Sequence, residues 1–334
     1  MEGQRGAGAL ERVARWVAKR TQIIPRHRNV HALLTIGLER KAAFRMLALR
    51  SYNPPSRPWR GPSGRSADLR AALRNGAQVR VRSFSTGDQS TTMGKLLDRR
   101  DPKSRAVAGT PFTSRVLVHL VEHPDHGCWL IDAGLDTSFQ RSGTGSIRGL
   151  LKSVAVKPFR QAPGQDVASL IARENVRPAG IFFTHLHIDH TSGTRLLDPT
   201  IRFVAGPVER PISFGPLFFE RHLSTVPVLE RVGFDGARSA PGSLPAVDLF
   251  GDASFWALST PGHTPGHLSF LAATAAGPVL LLGDVSHTRW GWEHEVAPGF
   301  SADPAGALAT LRRARQFASS LEVADVRFGH DLAA

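Results

Sequence analysis

The chain has 334 residues, of which 41% are hydrophobic and 21% are charged, as is usual for a globular protein. One cysteine excludes an internal disulfide framework, and no apolar run approaches the roughly 18–20 residues of a membrane span, so we expect a cytoplasmic protein. The net charge of +14 lies almost entirely in the first 80 residues, which hold 17 Lys and Arg against 4 Asp and Glu, whereas the remainder holds 25 against 24. Binding of nucleic acid is therefore not expected, except through this basic segment.

Residues 1–77 are predicted to form a basic N-terminal extension, partly helical or disordered, ahead of a globular domain at residues 78–334. Apolar residues recur at helical spacing near the start, among many arginines. This pattern predicts either a solvated helix or an amphipathic helix that contacts a membrane or an acidic partner. Residues 51–66 are rich in Pro, Gly and Ser and predict a linker. The same extension would also result from a start codon upstream of the working one.

The globular domain alternates short apolar runs with turn residues, which predicts a protein rich in strands. Strands are predicted at residues 78–84, 116–122, 128–132, 180–183, 201–205, 246–250, 253–259, 268–272, 278–282 and 323–328. Helices are predicted at residues 164–175 and 304–320, and another begins at residue 193. Residues 85–109 are polar and predict a loop, and residues 207–245 predict an irregular, aromatic-rich insertion.

A dense group of candidate ligands follows the predicted strand at residues 180–183. Residues 184–190 read T-H-L-H-I-D-H, and strand alternation would place His185 and His187 on one side. The turn that follows would bring Asp189 and His190 to the same place. Three imidazoles and one carboxylate suit zinc or a similar transition metal. The alternative interpretation is a histidine-rich turn whose side chains are solvated or hydrogen-bonded within the core.

Further candidates come just after later predicted strands. His263 and His267 lie in the sequence T-P-G-H-T-P-G-H, Asp284 follows Gly283, and His330 lies between Gly329 and Asp331. Loops that are held by a rigid scaffold commonly carry binding groups. Asp132 also ends a predicted strand, where it either supports the metal histidines or caps a turn. We therefore expect side chains that are far apart in the sequence to meet at one metal site.

Together these motifs resemble those of the metallo-β-lactamase superfamily over residues 79–334. The resemblance implies an α+β fold, the αβ/βα four-layer sandwich, with two mixed β-sheets face to face, helices outside and metals at one edge. It also implies two divalent metal ions, with zinc (Zn2+) expected, and a structural role for His267. The implied ligands are His185, His187 and His263 for the first metal, Asp189, His190 and His330 for the second, and Asp284 as the bridge between them.

The same resemblance implies a hydrolase in which a hydroxide bridging two metal ions attacks a carbonyl, while Asp189 carries a proton to the leaving group. The Gly-His-Asp sequence at residues 329–331 is most similar to the N-acyl-homoserine lactonase branch, so the expected substrate is a small lactone or related ester. Where those lactonases have a Tyr that contacts the substrate carbonyl, this chain has His287, which we expect to donate the same hydrogen bond as a catalytic residue.

Other functions are compatible with the same predicted metal core. The alternatives are a phosphodiesterase or nuclease, a thioesterase, and a metal-binding protein without catalytic activity. Glyoxalase II-like thioesterases carry an additional C-terminal helical domain, and only four residues follow His330 here. No motif specifies the acyl-chain preference or the oligomeric state.

Overall fold

Two mixed β-sheets pack face to face in the computed structural model, which describes residues 52–61, 69–149, 157–211, 221–235, 237 and 244–332. The strands are β1 (Ser56–Pro58), β2 (Arg80–Thr92), β3 (Pro111–His123), β4 (Gly127–Ile131), β5 (Pro178–Phe182), β6 (Arg202–Ala205), β7 (Leu229–Arg231), β8 (Ala246–Asp248), β9 (Phe255–Ser259), β10 (Leu268–Ala272), β11 (Val279–Leu281) and β12 (Asp325–Arg327). The helices are α1 (Leu69–Asn75), α2 (Met93–Leu96), α3 (Pro102–Ala106), α4 (Val167–Arg173), α5 (Ile188–Thr191), α6 (Arg289–His294) and α7 (Pro304–Ser320). Short 3-10 turns lie at Thr137–Gln140, Ser192–Leu196, His222–Thr225 and Gly283–Val285.

The strand order determines where the loops of both sheets meet. The larger sheet has the order β1-β7-β6-β5-β4-β3-β2, with parallel pairing from β1 to β4 and antiparallel pairing from β4 to β2. The smaller sheet has the order β12-β11-β10-β9-β8 and is antiparallel except for the β11–β12 pair. Parallel strands present their carboxyl ends at one edge, where open α/β sheets usually bind ligands.

The core lies between the two sheets. Trp129 and Phe182 of the larger sheet stack with ring centroids 4.6 Å apart, and Phe182 meets Phe270 of the smaller sheet at 5.8 Å. Helix α4 covers the outer face of the larger sheet, and α7 covers that of the smaller one. This confirms the predicted four-layer sandwich. Within the described ranges, every helix is too short or too polar to cross a lipid bilayer.

Most of the predicted strands and helices are present, but the loop predicted at residues 85–109 is wrong. Strand β2 continues to Thr92 and pairs with β3 across a bulge between Ser85 and Asp88, and α2 and α3 follow it. Strand β2 is the last strand of its sheet, so polar side chains there remain partly exposed and give no apolar signal. The helix predicted from residue 193 is instead the 3-10 turn Ser192–Leu196.

The linker predicted at residues 51–66 is also wrong in part. Strand β1 pairs in parallel with β7, and the half-buried Trp59 packs edge-on against Phe182 with centroids 5.4 Å apart. Pro58, the last residue of β1, is tolerated there because β1 is an edge strand. The domain boundary at residues 77/78 stays a prediction, the helix predicted within residues 1–50 lies outside the described residues, and the insertion predicted at 207–245 is described only in part.

The contact of Trp59 with the core gives a first testable prediction. We expect Trp59→Ala to lower the free energy of unfolding by about 2 kcal/mol, because a half-buried indole is lost from the edge of the core. Urea denaturation followed by circular dichroism measures this change. Arg60→Ala, at the exposed neighbouring position, is the matched control and should lie within about 0.5 kcal/mol of the parent protein. Equal stability of the Trp59 variant and the parent would show that β1 does not dock in solution.

Candidate metal centre

The predicted ligand residues lie on loops that follow the ends of strands from both sheets. His185 and His187 follow β5, His263 follows β9, Asp284 follows β11 and His330 follows β12. Strand β5 ends at Phe182, so the two histidines lie beyond the strand and not within it. The prediction that strand alternation places them on one side is therefore wrong. Instead, His187 has an extended backbone and is the residue that precedes the first turn of α5.

One group of side chains converges on the second carboxylate oxygen, Oδ2, of Asp284. His187 Nδ1 lies 3.1 Å from His263 Nε2, which lies 3.2 Å from Asp284 Oδ2. His185 Nε2 is 3.7 Å from the same oxygen. One potential ligand atom from each of these four residues lies within 4.8 Å of the other three. The structure thus brings together the side chains that the resemblance assigned to the first metal and the bridge.

A second group lies on the other side of Asp284. Asp189 Oδ2 is 3.6 Å from His330 Nε2 and 3.8 Å from His190 Nε2. The Asp284 carboxylate reaches this group too, with Oδ2 at 3.4 Å from His330 Nε2 and Oδ1 at 3.8 Å from His190 Nε2. Asp284 therefore lies between the two groups.

The donor atoms fit divalent metals of the zinc type. Two atoms bound tetrahedrally to one zinc at about 2.1 Å lie about 3.4 Å apart, close to the separations observed here. His185 Nε2, His190 Nε2 and Asp284 Oδ1 are buried and have no hydrogen-bond partner among the described residues. Buried polar atoms normally have partners, so these atoms indicate a cation at this place. Nitrogen and carboxylate donors together favour zinc or a similar metal.

Asp132 orients the rings that face this centre. Its side chain accepts hydrogen bonds from the Thr184 hydroxyl and from His190 Nδ1, at 2.8 and 2.7 Å. Because that hydroxyl donates to Asp132, it accepts from His185 Nδ1 at 3.0 Å. Both histidines thus turn Nε2, the nitrogen that a metal would bind, toward the centre, as metal ligands do. Of the two roles considered for Asp132, the structure shows support of these histidines.

His267 supports Asp284 in a similar way. Its Nε2 accepts a hydrogen bond from the backbone N–H of Asp284 at 3.0 Å, and its Nδ1 therefore donates to the Thr260 hydroxyl at 2.8 Å. Both ring nitrogens are used, as expected for a structural residue. His123 is likewise satisfied, by Asp252 and by the backbone N–H groups of residues 125 and 126, so the His123, His126 and Asp252 group does not resemble a metal site.

Glu209 is a supporting residue that the sequence analysis missed. It is 1% exposed, and its carboxylate accepts hydrogen bonds from the backbone N–H groups of Leu186, at 3.2 Å, and Gly266, at 2.9 Å. Glu209 thereby joins the loop of His185 and His187 to the loop of His263. Burial raises the pKa of Glu209, although these hydrogen bonds favour its ionised form. Its position just beyond β6 was the available signal, since the other functional residues also follow strands.

This bridging role predicts the effect of Glu209→Gln. Its amide has one accepting oxygen, so one backbone N–H faces an NH2 group and the two loops lose a fixed spacing. We expect metal affinity to fall about 10- to 100-fold, measured by competition with a chromophoric chelator. Glu122→Gln, which alters a surface pair with Arg82, is the matched control. Parent-like affinity in the Glu209 variant would exclude this role.

Charge is unevenly distributed among the histidines of the metal-free chain. Burial opposes charge on His190 and His330, but the carboxylates of Asp132, Asp189 and Asp284 outweigh it and raise the pKa of His190 to about 10 and that of His330 to about 9. Burial lowers the pKa of His185 well below its usual value. Burial also opposes ionisation of Asp284, yet the surrounding imidazoles hold its pKa well below the usual range. The metal-free centre therefore holds protons on two of its histidines.

The raised pKa values predict that metals bind with release of protons. A histidine ligates only through an unprotonated nitrogen, so His190 and His330 must each lose a proton, and affinity rises with pH until the pH reaches about 9–10. Between pH 6 and 8 we expect the apparent affinity for the metal held by His190 and His330 to rise about 100-fold per pH unit, because two protons are released for each such metal bound. Chelator competition at several pH values, corrected for protonation of the chelator, measures the slope. An affinity that is independent of pH would contradict these charge states.

Comparison with known proteins agrees with this arrangement. Residues 113–330 match the profile of the metallo-beta-lactamase superfamily. An N-acyl homoserine lactonase from a Bacillus species is 28% identical over 243 residues, which cover 71% of this chain and 89% of that protein. Two solved structures share the fold. One is an N-acyl homoserine lactone hydrolase with its product at the catalytic metal centre (20% identity, TM-score 0.57, 77% of this chain and 94% of that chain). The other is AidC, a dizinc quorum-quenching lactonase (13% identity, TM-score 0.52, 81% and 92%).

The family match covers most of the chain and includes the motifs from His185 to His330. The two mixed sheets, the outer helices and the convergence of those motifs at one edge are consistent with it. The chain therefore belongs to the metallo-β-lactamase superfamily.

Proposed function

We propose that the protein is a dinuclear metal-dependent hydrolase that opens a lactone or a related ester, with N-acyl-homoserine lactones as the substrate class. The observation that carries this proposal is the convergence of imidazole nitrogens around Asp284, together with buried nitrogen and oxygen atoms that have no hydrogen-bond partner among the described residues. The names of the similar lactonases support the choice of substrate, and AidC supports zinc as the metal.

The proposed ligands follow from the two groups at Asp284. His185, His187 and His263 would hold the first metal, Asp189, His190 and His330 the second, and Asp284 both. When bound, such a pair lowers the pKa of water and polarises a carbonyl oxygen. The chain supplies fixed ligand positions, through Asp132, His267 and Glu209 (as described above), and this rigidity keeps the reacting groups aligned.

Asp189 is the proposed proton carrier. Its side chain is 20% exposed, whereas that of Asp284 is 3% exposed, so Asp189 is the carboxylate of the centre that a substrate can reach. In ester cleavage the carboxylate would take a proton from the attacking water and return it to the leaving oxygen. In a lactone that oxygen stays attached to the product as a hydroxyl group, which balances the reaction.

A hydrolysis screen tests this proposal. Purified protein loaded with zinc is given N-hexanoyl homoserine lactone, a thioester, a β-lactam and bis(4-nitrophenyl) phosphate, with metal-free protein as the control. We expect ring opening of the lactone, detected as acid release and as the open-chain product by mass spectrometry. Turnover of only the phosphodiester would favour the nuclease alternative. Two bound metals without turnover of any substrate would favour a non-catalytic metal protein.

The remaining expectations also stay proposals. We propose a cytoplasmic location and a small-molecule substrate as the main partner. Any contact with nucleic acid or acidic surfaces would fall to the basic residues 1–77, most of which lie outside the described ranges.

A further inference from the structure

His287 has a proton on the ring nitrogen that faces away from the metal centre. Its Nδ1 lies 2.8 Å from the backbone oxygen of Leu96, and a carbonyl only accepts hydrogen bonds. The same oxygen also accepts from the N–H of Gly299 at 2.9 Å, which fixes its position. Nδ1 of His287 is therefore the donor, and in the neutral ring Nε2 carries a lone pair.

That lone pair is directed at the carboxylate of Asp284. His287 Nε2 lies 3.0 Å from Asp284 Oδ2, and the ring is 4% exposed. A ring nitrogen and a carboxylate oxygen held this close in a buried place need a cation between them, which is either a proton on the ring or a metal ion bound by both. The separation is close to the roughly 3–3.5 Å expected between two atoms bound to one zinc ion.

His330 shows the same arrangement. Its Nδ1 donates to the backbone oxygen of Arg115 at 2.8 Å, and its Nε2 lies 3.4 Å from Asp284 Oδ2. A ring nitrogen held by a backbone carbonyl, with the other nitrogen free for the metal, is the usual arrangement of a ligating histidine. One potential ligand atom each from Asp284, His287 and His330 lies within 4.8 Å of the other two.

We infer that His287 is a ligand of the second metal, beside His330 and Asp284. This inference rests on the proposed dinuclear centre and adds a ligand to it. It replaces the hydrogen bond to the substrate that the sequence predicted, because an Nε2 atom that binds a metal has no proton to donate. The consequence is a second metal held by three imidazoles, as the first metal is, and therefore bound more tightly than Asp189, His190 and His330 alone would hold it.

The test uses the full chain loaded with 113Cd and labelled with 15N at histidine. Nitrogens bound to cadmium show 113Cd–15N coupling, which is read without any assay of activity. We expect coupling at Nε2 of His287, assigned by its loss in His287→Gln. A wild-type His287 Nε2 that carries a proton, or that shows no coupling while other histidines do, would overturn the inference and leave the dinuclear centre standing. Absence of cadmium coupling at every histidine would instead reject the proposed function.

Metal affinity gives a second measurement. His287→Gln should weaken the second of two binding events about 100-fold in chelator competition while the first stays within about threefold. His294→Gln is the matched control, because His294 stacks on Trp290 outside the centre. Two unchanged affinities in a folded His287→Gln protein would contradict the inference.

Discussion

Replacing Asp284 with Asn is expected to remove both metals and nearly all activity. Five imidazoles lie within 3.0–3.8 Å of the Asp284 carboxylate, and the side chain is 3% exposed. Asn has the same shape but no charge and only one oxygen, so it cannot serve as a ligand shared by the two groups of side chains. We expect kcat/KM for the lactone to fall at least about 1,000-fold, equivalent to roughly 4 kcal/mol. Metal content by mass spectrometry should fall in parallel.

A matched control separates this effect from general loss of charge. Asp325→Asn on β12 removes a carboxylate that pairs with Arg327 at the surface, and it should keep both metals and full activity. An Asp284→Asn protein that retains two metals per chain and parent turnover would show that Asp284 does not bridge. A protein that unfolds would give no sharp circular dichroism transition and is recognised by that measurement.

Removal of metal is expected to have the second largest effect. Without metal, the unpartnered buried atoms of His185, His190 and Asp284 and the protons on His190 and His330 remain together in one place. Metal at about 1,000 times its Kd adds about 4 kcal/mol to stability, which corresponds to a rise in Tm of roughly 6 °C for a chain of this size. Calorimetry of chelated and zinc-restored protein measures the difference.

The same samples are assayed for hydrolysis. Chelation should abolish turnover, and about two equivalents of zinc per chain should restore both turnover and Tm. A chelated protein that keeps the Tm and the activity of the loaded protein would contradict a role of metal in either property.

The sequence predicted the elements whose signal is local. The run at residues 180–183 is apolar enough to identify β5, and Asp303 and Pro304 mark the start of α7, where the Asp303 side chain accepts from the N–H of Gly306. It failed where tertiary contacts decide the structure. Strand β1 has only three residues and forms because β7 presents an unpaired edge to it. The end of β2 is polar because it lies at the other edge of the sheet.

The candidate site shows the same division. Spacing and strand ends predicted which side chains would meet, from His185 to His330. They did not reveal Glu209, because its position beyond β6 was the one available signal, and its burial between two backbone N–H groups depends on tertiary contacts. They also did not reveal the tautomer of His287, which depends on a carbonyl 191 positions earlier in the chain.

The most direct test of the account is anomalous X-ray scattering from crystals of the zinc-loaded protein, recorded on both sides of the zinc absorption edge. We predict two anomalous peaks per chain, one on each side of the Asp284 carboxylate, the first among His185, His187 and His263 and the second among Asp189, His190 and His330. A single peak, or peaks that lie away from Asp284, would contradict the proposed two-metal centre.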